Sequence, residues 1–348
     1  MKSKKRILVS PLNWGLGHST RCVPIIKQLI LKNFDVIIAA EGRSQKLLRN
    51  EFPKLRFVNI PGISIRYYNN TPLSISILCQ TPKILYSINR EHKILDKIIN
   101  NYKINAVISD NRFGLWTNQI PCVFITHQLR IKSPIFERII QKINYYFINK
   151  FTECWIIDDE ESTLSGELSL TKTMPKRFKY IGPQSRIRST YTKLKYDTLC
   201  IISGPEPERS NFEKLMINQL SKRKESSLVI LGKPEEDKNF YINSCHVISS
   251  ANSEEISKHI CSSDTIISRS GYSTIMDLAR TESKCILIPT PGQTEQEYLA
   301  KYLKEKKICF SMDQRSFNLE VALQENKNYT GFIKATNETN WDKLFRLF

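Results

Sequence analysis

A histidine follows the first apolar run of the chain, on a short loop that contains glycine. Residues Arg6–Ser10 predict a buried strand, and Asn13–Thr20 predict a loop that opens a helix. The N–H groups at a helix start and the helix dipole favour a bound anion. His18 lies on this loop, and the pKa of an imidazole suits a general base. A base is therefore one interpretation of His18. A histidine that caps the helix or bonds a neighbouring carbonyl is the other.

A second segment combines hydroxyl groups with a helix start. A predicted strand ends at Ser268, and a helix begins a few residues later. The hydroxyls and fresh helix amides at this point predict a diphosphate site. Its members are Ser270, Gly271, Tyr272, Ser273 and Thr274. Asp277 lies one turn into the helix, where we expect it to hold a pair of ribose hydroxyls.

A Pro-Gly loop follows the next predicted strand and leads into another helix. Gln296 and Glu297 start this helix, where their side chains can bond sugar hydroxyls, and Gln293 precedes them. Together with the segment around Gly271, this loop predicts a clamp for a nucleotide sugar.

Other nucleotide and metal chemistries lack their sequence signatures. A dinucleotide-binding GxGxxG would need glycine at Thr20, and no acidic residue ends the following strand. There is no GxxxxGK[ST] segment, which excludes P-loop nucleotide hydrolysis. No DxD-like pair ends a strand, so we expect a site that needs no metal and no cofactor.

Short apolar runs alternate with longer amphipathic stretches, as in a parallel sheet with crossover helices. In 348 residues this pattern predicts an α/β protein of two Rossmann-like domains facing across a cleft. We expect an N-terminal domain at 1–182, a linker at 183–197 and a C-terminal domain at 198–348, whose last helix crosses back onto the first. Ligands bind at the carboxyl ends of parallel strands. The strands that matter most are predicted at Arg6–Ser10, Ala106–Ser109, Cys122–Thr126, Thr198–Ser203, Thr265–Ser268 and Cys285–Pro289.

The formal net charge of +18 favours a phosphate-bearing partner or an anionic lipid surface. Acidic residues are absent between Glu51 and Glu91 and again over 111–136, whereas apolar and basic residues are frequent there. The apolar run Ile139–Phe147 follows. These stretches favour contact with anionic lipid, and a core helix with a solvated basic face is the alternative.

Nine cysteines spread singly along the chain favour a reducing compartment over a disulfide framework. The chain starts without a signal-like apolar region and has no run long enough to span a bilayer. We expect a cytoplasmic protein that is peripheral on the cytoplasmic face of the membrane.

The order and separation of these motifs resemble the inverting GT-B glycosyltransferases of glycosyltransferase family 28. The run Gly15–His18 is similar to the family's glycine-rich loop, which ends in histidine. The family's second motif, Ser-Gly-x-x-Thr with an acidic residue and then proline and a glutamine-rich helix start, has more counterparts here. They are Ser270, Gly271, Thr274, Asp277, Pro289, Gln293 and Gln296, where Asp277 replaces the usual glutamate.

The resemblance implies roles for further residues. The base is His18 or its rival Asp110, which ends a predicted strand. The donor loops add Gly17, Ser203, Gly204 and Arg209, with a plain turn as the alternative for the last three, and Arg269 adds charge to the diphosphate. The acceptor side comprises Asn13, His127 and Gln128, and a structural role is the alternative for His127.

These expectations combine into transfer of a sugar, such as GlcNAc, from a nucleotide diphosphate donor, such as a UDP-sugar. The acceptor is a lipid-linked or membrane-borne hydroxyl, and the reaction proceeds with inversion. Two alternatives stay open. A nucleotide-sugar 2-epimerase has the same two Rossmann-like domains. Its reaction needs additional carboxylates in the cleft, and the sequence of the first domain supplies few. A nonenzymatic nucleic-acid-binding protein would suit the charge, yet the basic residues are dispersed and no recognition motif is found.

Overall fold

The computed structural model describes residues 4–13, 15–62, 80–131, 137–161, 163–170, 174–190, 192–333 and 339–348. The apolar positions expected at a lipid surface between 63 and 79, and residues 132–136, lie outside the described residues. The chain divides into two compact units. Unit 1 comprises Met1–Gln184 and Asn337–Phe348, and unit 2 comprises Ser185–Thr336.

Unit 1 is built on a parallel seven-stranded sheet with the strand order β3-β2-β1-β4-β5-β6-β7. The strands are β1 (Arg6–Pro11), β2 (Asp35–Ala39), β3 (Arg56–Val58), β4 (Ala106–Asp110), β5 (Cys122–Thr126), β6 (Glu153–Ile156) and β7 (Phe178–Tyr180). Every residue of β4 and β5 is buried, as expected for central strands covered on both faces.

Four helices of unit 1 follow strands or lead into them. They are α1 (Leu16–Leu31), α2 (Gly42–Glu51), α3 (Thr81–Tyr102) and α4 (Glu137–Ile148). Helix α1 begins directly after Gly15, whose φ of 101° is readily available only to glycine. The turn brings the first residues of α1 to the carboxyl end of β1, where ligands of parallel sheets bind.

Unit 2 repeats the architecture with the strand order β10-β11-β9-β8-β12-β13-β14. The strands are β8 (Tyr196–Ile201), β9 (Ser227–Ile230), β10 (Asn239–Ile242), β11 (Cys245–Ile248), β12 (Ser263–Ser268), β13 (Lys284–Leu287) and β14 (Phe310–Ser311). The edge strand β10 pairs antiparallel with β11, and the other pairs are parallel.

The helices of unit 2 cover this second sheet. They are α5 (Glu208–Leu220), α6 (Ser253–Cys261), α7 (Tyr272–Ala279), α8 (Thr294–Glu305) and α9 (Leu319–Asn326). Helix α7 follows β12, and α8 follows β13, so both helices begin at the carboxyl edge of adjacent strands. The predicted diphosphate and sugar segments therefore lie on neighbouring loops.

The last helix, α10 (Trp341–Phe345), belongs to unit 1. The ring of Phe345 lies 5.7 Å from that of Phe34 and 6.4 Å from that of Trp155. The ring of Phe348 lies 5.9 Å from that of Trp155. Lys32 and Asp342 add an ion pair at 2.6 Å. The final residues thus supply an aromatic layer to the first unit.

Candidate active site

Three polar side chains meet at the carboxyl edge of the sheet of unit 1. His18 lies in the first turn of α1, Asp110 ends β4, and His127 directly follows β5. Strands β1, β4 and β5 are consecutive in the sheet, so their ends are adjacent. His18 Nδ1 lies 3.1 Å from Asp110 Oδ1. The two candidates for the base are therefore hydrogen-bonding partners within one cluster.

Sequence reasoning missed the residue at the centre of this cluster, Arg21. Its Nε donates to Asp110 Oδ2 at 2.6 Å, and its Nη2 also donates to Asp110 Oδ1. Its Nη1 lies 2.8 Å from His127 Nδ1, and its Nη2 lies 2.8 Å from His18 Nδ1. Arg21 is 2% exposed. A signal was available, because a lone arginine three residues after His18 shares its helix face, which is otherwise apolar.

The cluster fixes the charge of the carboxylate and of the imidazole. Burial by itself raises the pKa of Asp110, but the charges and hydrogen bonds of Arg21 and His18 outweigh it and hold that pKa well below its usual range. Burial lowers the pKa of His18, the Arg21 charge lowers it further, and Asp110 opposes both. At neutral pH the arrangement is thus a carboxylate beside an uncharged imidazole.

The other residues expected in unit 1 are half-buried; Asn13 and Gln128 lie on loops around this cluster, and Gly17 lies in the first turn of α1. Asn13 follows β1, and its Nδ2 would lie 3.3 Å from a Cβ placed on Gly42. The carbonyl of Gly17 accepts a hydrogen bond from Thr20 Oγ1 at 2.9 Å. The backbone N–H of Gln128 donates to Thr126 Oγ1 at 3.0 Å. The acceptor roles of Asn13, His127 and Gln128 stay predictions.

In unit 2, the loop after β12 leaves open space at a helix start. Gly271 precedes α7 with φ of −72°, and no side chain caps this helix. A Cβ placed on Gly271 would meet no atom within 4 Å. Ser270 Oγ donates to the carbonyl of Gln296 at 2.8 Å, which ties this loop to the start of α8. The half-buried Ser273 and Thr274 occupy the first turn of α7.

The glutamine and glutamate at the start of α8 hold their own loop. Gln296 Oε1 accepts from the backbone N–H of Thr290 at 2.9 Å, and Glu297 Oε1 accepts from that of Gly292 at 2.8 Å. Gln296 Nε2 donates to Gln293 Oε1 at 2.5 Å. These bonds shape the Pro-Gly loop, and direct contact of the three side chains with a sugar stays a prediction.

Arg269 and Arg209 make internal contacts instead of standing free beside the loops. Arg269 Nη1 donates to the carbonyl of Pro289 at 3.0 Å, and its guanidinium stacks 4.2 Å from the ring of Phe212. Burial lowers the pKa of Arg269 to about 10. Arg209 lies in α5, where Nη2 pairs with Glu213 Oε2 at 2.8 Å. Both arginines are about 1% exposed, so in this state they brace the loops that carry the expected donor residues.

Arg269 also lines the space above the loop after β8. A Cβ on Gly204, whose φ is +115°, would lie 3.5 Å from Thr290 Oγ1 and 3.8 Å from Arg269 Nε. Ser203 precedes this glycine and is half-buried. The loop therefore passes close to the two neighbouring strand ends, as the nucleotide-binding expectation for Ser203 and Gly204 requires.

Asp277, expected to bind ribose, contacts the first residues of unit 2. Ser185 Oγ donates to Asp277 Oδ1 at 2.7 Å, and Arg186 Nε lies 3.7 Å from Asp277 Oδ2. Burial raises the pKa of Asp277, against the opposing charge and hydrogen bonds of Arg186 and Ser185. A ribose would have to compete with Ser185 for Oδ1, so the ribose contact stays a prediction.

Two family models match the chain, one in each half. Residues 210–338 match the glycosyltransferase family 28 C-terminal domain, and residues 5–151 match glycosyl transferase family 1. The first match contains the loops around Gly271 and Gln296, and the second contains His18 and Asp110.

Full-length relatives carry one common name. A protein of Borrelia turicatae named UDP-N-acetylglucosamine–N-acetylmuramyl-(pentapeptide) pyrophosphoryl-undecaprenol N-acetylglucosamine transferase is 24% identical, over 96% of this chain and 92% of its own. A protein of Buchnera aphidicola with the same name is 24% identical, over 99% of this chain and 92% of its own.

Solved structures share the architecture at low sequence identity. SnogD of Streptomyces nogalater, a glycosyltransferase, has a TM-score of 0.63 and 13% identity, over 99% of this chain and 100% of SnogD. MurG of Acinetobacter baumannii has a TM-score of 0.53 and 13% identity, over 94% of this chain and 93% of MurG. Together with the two sheets and the family matches, these likenesses define the chain as a GT-B glycosyltransferase. Its second half is similar to the family 28 C-terminal domain, as the motifs predict.

Proposed function

We propose that the chain transfers GlcNAc from UDP-GlcNAc to a lipid-linked acceptor, with inversion at the anomeric carbon. The names of the full-length relatives, which describe this donor and an undecaprenol-linked acceptor, support the donor and acceptor classes. The pairing of His18 with Asp110 at the carboxyl edge of the sheet carries the catalytic part of the proposal.

His18 is the general base in this proposal. Its Nδ1 lies 3.1 Å from Asp110 Oδ1 and 2.8 Å from Arg21 Nη2. The proposal requires the tautomer in which Nδ1–H donates to Asp110, because Nε2 then has the lone pair that takes the proton from the acceptor hydroxyl. The hydroxyl oxygen forms a bond to the anomeric carbon as the bond from that carbon to the UDP oxygen breaks. Asp110 is fully buried and paired with Arg21, which makes it a positioning residue for the imidazole and not the base.

The leaving UDP develops negative charge on its diphosphate. The start of α7 supplies the positive end of a helix dipole at Gly271, and Ser273 and Thr274 add hydroxyl donors in its first turn. Open space at Gly271 supports placement of the diphosphate there. Gln296 holds the neighbouring loop in shape through Thr290.

An apolar and basic face of unit 1 supports a lipid-borne acceptor. Helix α3 exposes Leu85 and Tyr86, and α4 exposes Ile139, Ile143 and Tyr146. Exposed basic residues accompany them at Lys83, Arg90, Lys93, Arg138 and Lys142. We call these ten residues the basic-apolar face. Each cation near an anionic lipid surface adds about 1 kcal/mol of attraction.

Contacts around Trp116 bring the two helices of this face together. The His92 ring of α3 stacks on Trp116 at 4.5 Å. Lys150, just after α4, lies 5.2 Å from the ring of Trp116 and 4.8 Å from that of Tyr146. Among the residues that the structure describes, no helix is long and apolar enough to cross a membrane. We propose that the protein binds the cytoplasmic membrane surface peripherally through this face.

The test of the activity is product analysis with UDP-GlcNAc and an undecaprenyl-diphosphate-linked MurNAc acceptor. We expect a GlcNAc-extended lipid and one equivalent of UDP. Release of UDP and free GlcNAc with no extended lipid, or conversion of the donor sugar to its 2-epimer, would contradict the proposal. Running the same assay with other UDP-, GDP- and TDP-sugars tests the donor.

Binding to anionic vesicles tests the membrane proposal. The double variant Ile143→Glu/Tyr146→Glu places two negative charges on the basic-apolar face, so we expect weaker co-sedimentation with phosphatidylglycerol vesicles. Val321→Glu/Ile333→Glu is the matched control, because it also adds two negative charges at exposed apolar positions, 49% and 87% exposed, in unit 2. Equal loss in both variants would refute a specific face. Retention on DNA that matches retention on vesicles would favour the nucleic-acid alternative.

A further inference from the structure

We propose that Arg21 is a positioning residue of the catalytic base, which it holds in register with Asp110 and keeps unprotonated in the resting enzyme. The inference rests on the proposed role of His18 as base. It gives a task to a buried cation that neither the family motifs nor the relatives' names assign.

The guanidinium contacts all three of the other members of the cluster. Nε and Nη2 grip the two oxygens of Asp110, Nη1 lies against His127, and Nη2 also faces His18 Nδ1 at 2.8 Å. Arginine has five N–H donors in a rigid plane and no acceptor. One flat group therefore sets the relative positions of a carboxylate and two imidazoles that come from three separate elements.

His18 Nδ1 thus lies between an acceptor and a donor. When the Nδ1 position carries the proton, it donates to Asp110 Oδ1, and Nε2 holds the lone pair that a base needs. Asp110 alone would draw a second proton onto the ring, because an adjacent buried carboxylate stabilises an imidazolium. Burial disfavours the imidazolium, and the charge of Arg21 offsets that of Asp110, so the ring stays neutral until the acceptor hydroxyl gives up its proton.

Among the described residues, the charged and titratable groups that act on His18 come from three elements. Arg21 lies on α1, Asp110 ends β4, and His127 follows β5. Cys22 Sγ donates to Asp110 Oδ2 at 3.6 Å, and burial raises the pKa of this thiol, so it is uncharged at neutral pH. Arg21 is thus the fixed positive charge in contact with both the imidazole and its carboxylate.

The pH dependence of kcat/KM for Arg21→Met and Arg21→Lys tests the inference. In Arg21→Met, burial is the main remaining effect that opposes Asp110, so we expect the acid limb to move up by about 1 pH unit. Activity lost at neutral pH should return as the pH is raised. Arg21→Lys keeps the positive charge, so the acid limb of its kcat/KM profile should stay closer to that of the wild type. A lower rate at every pH with an unmoved limb in Arg21→Met would overturn the inference.

Arg112→Met is the matched control for loss of a buried arginine. Arg112 is 1% exposed in the same unit, and its Nη2 pairs with Glu91 Oε1 at 2.8 Å. Among the described residues its side chain bonds Glu91 and the carbonyl of Pro61, and neither is a histidine. We expect a lower melting temperature for this variant with the acid limb in place. An equal shift of the acid limb in Arg21→Met and Arg112→Met would mean that the shift reports lost stability.

An NMR titration of the wild-type chain tests the neutral resting imidazole that the inference requires, even where Arg21→Met does not fold. The protein has five histidines, and the His18 signal is assigned by its absence in His18→Gln. We expect His18 to stay neutral at a pH where an ordinary histidine, with a pKa of about 6.5, is half protonated. A His18 that titrates at or above 6.5 overturns the inference. Absence of sugar transfer by the wild type would instead refute the proposed function and leave this titration valid.

Discussion

His18 and Asp110 are in contact at 3.1 Å, yet their surroundings give them separate tasks. Asp110 is fully buried and gripped by Arg21, so it stays a carboxylate and accepts hydrogen bonds. His18 keeps 15% of its side chain exposed and is the member of the cluster that an acceptor can reach. Sequence alone left the two residues as rivals. The contacts favour a base and its positioning partner.

Replacement of His18 by glutamine is expected to remove proton transfer and leave the donor site in unit 2 intact. We expect kcat to fall by about 10²–10⁴-fold, the range typical of a lost general base. The thermal shift induced by UDP should match that of the wild type. Steady-state kinetics and melting curves with UDP provide both readouts. A kcat within a few fold of wild type would exclude His18 as the base.

The residue types at the site were predictable, but their partners were not. His18, Gly271 and Asp277 stand out because they follow strand ends beside helix starts. Arg21 escaped because a basic residue on an amphipathic helix usually faces solvent. The loop-holding bonds of Gln296 depend on tertiary contacts that spacing alone does not specify.

At the scale of elements, the start of α7 combines an uncapped helix end with vacant space. Its φ of −72° lets Gly271 accept any L-residue without strain, and a Cβ there would touch nothing within 4 Å. A glycine at such a position is not needed for folding. Its absent side chain fits the proposal that a diphosphate packs against the backbone at this point.

Gly271→Ala is therefore expected to weaken donor binding without affecting stability. We expect the affinity for UDP to fall about tenfold, which corresponds to about 1.4 kcal/mol. The melting temperature should stay within error of wild type. Isothermal titration with UDP and a melting curve measure the two quantities. An unchanged UDP affinity would remove the diphosphate from this loop.

Gly114→Ala provides the opposite control. A Cβ at Gly114 would lie 2.4 Å from the carbonyl oxygen of Ile88 and 2.5 Å from Glu91 Cβ. Backbone must move to relieve this overlap, so we expect a clear loss of stability and unchanged affinity of the folded fraction for UDP.

Elements with long apolar runs were predicted well, and short exposed elements were not. Strands β1, β4 and β5 appear where the apolar runs predict them, within one or two residues at each end. Strand β10 was missed because all four of its residues are exposed, which leaves no buried pattern to detect. It forms because β11 offers a free edge for antiparallel pairing.

At the scale of the whole molecule, unit 1 is assembled from two distant parts of the chain. Gln184 Nε2 donates to Thr339 Oγ1 at 2.8 Å, and Thr339 Oγ1 donates to the carbonyl of Ile181 at 2.5 Å. These bonds join the points where the chain leaves unit 1 and returns to it. The aromatic layer of α10 then completes the packing around Trp155.

Phe345→Ala is expected to destabilise unit 1 by about 3–5 kcal/mol, as usual for deletion of a buried aromatic ring. The described tryptophans, Trp116, Trp155 and Trp341, lie in unit 1, and the sequence of unit 2 contains no tryptophan, so tryptophan fluorescence during urea unfolding reports on unit 1. Phe178→Ala is the control. Phe178 is 39% exposed, so its substitution should lower the free energy of unfolding only slightly. Equal midpoints for the two variants would contradict a stabilising role for the last helix.

The return of the chain to unit 1 imposes an order on biosynthesis. Every residue of unit 2 is synthesised before Trp341, so unit 1 cannot acquire its last aromatic layer until translation is almost complete. Until then, the apolar surface around Trp155 stays exposed in the nascent unit 1, and chaperones recognise such exposed apolar surface. A premature stop codon upstream of Trp341 would thus damage the part of the enzyme that was translated first.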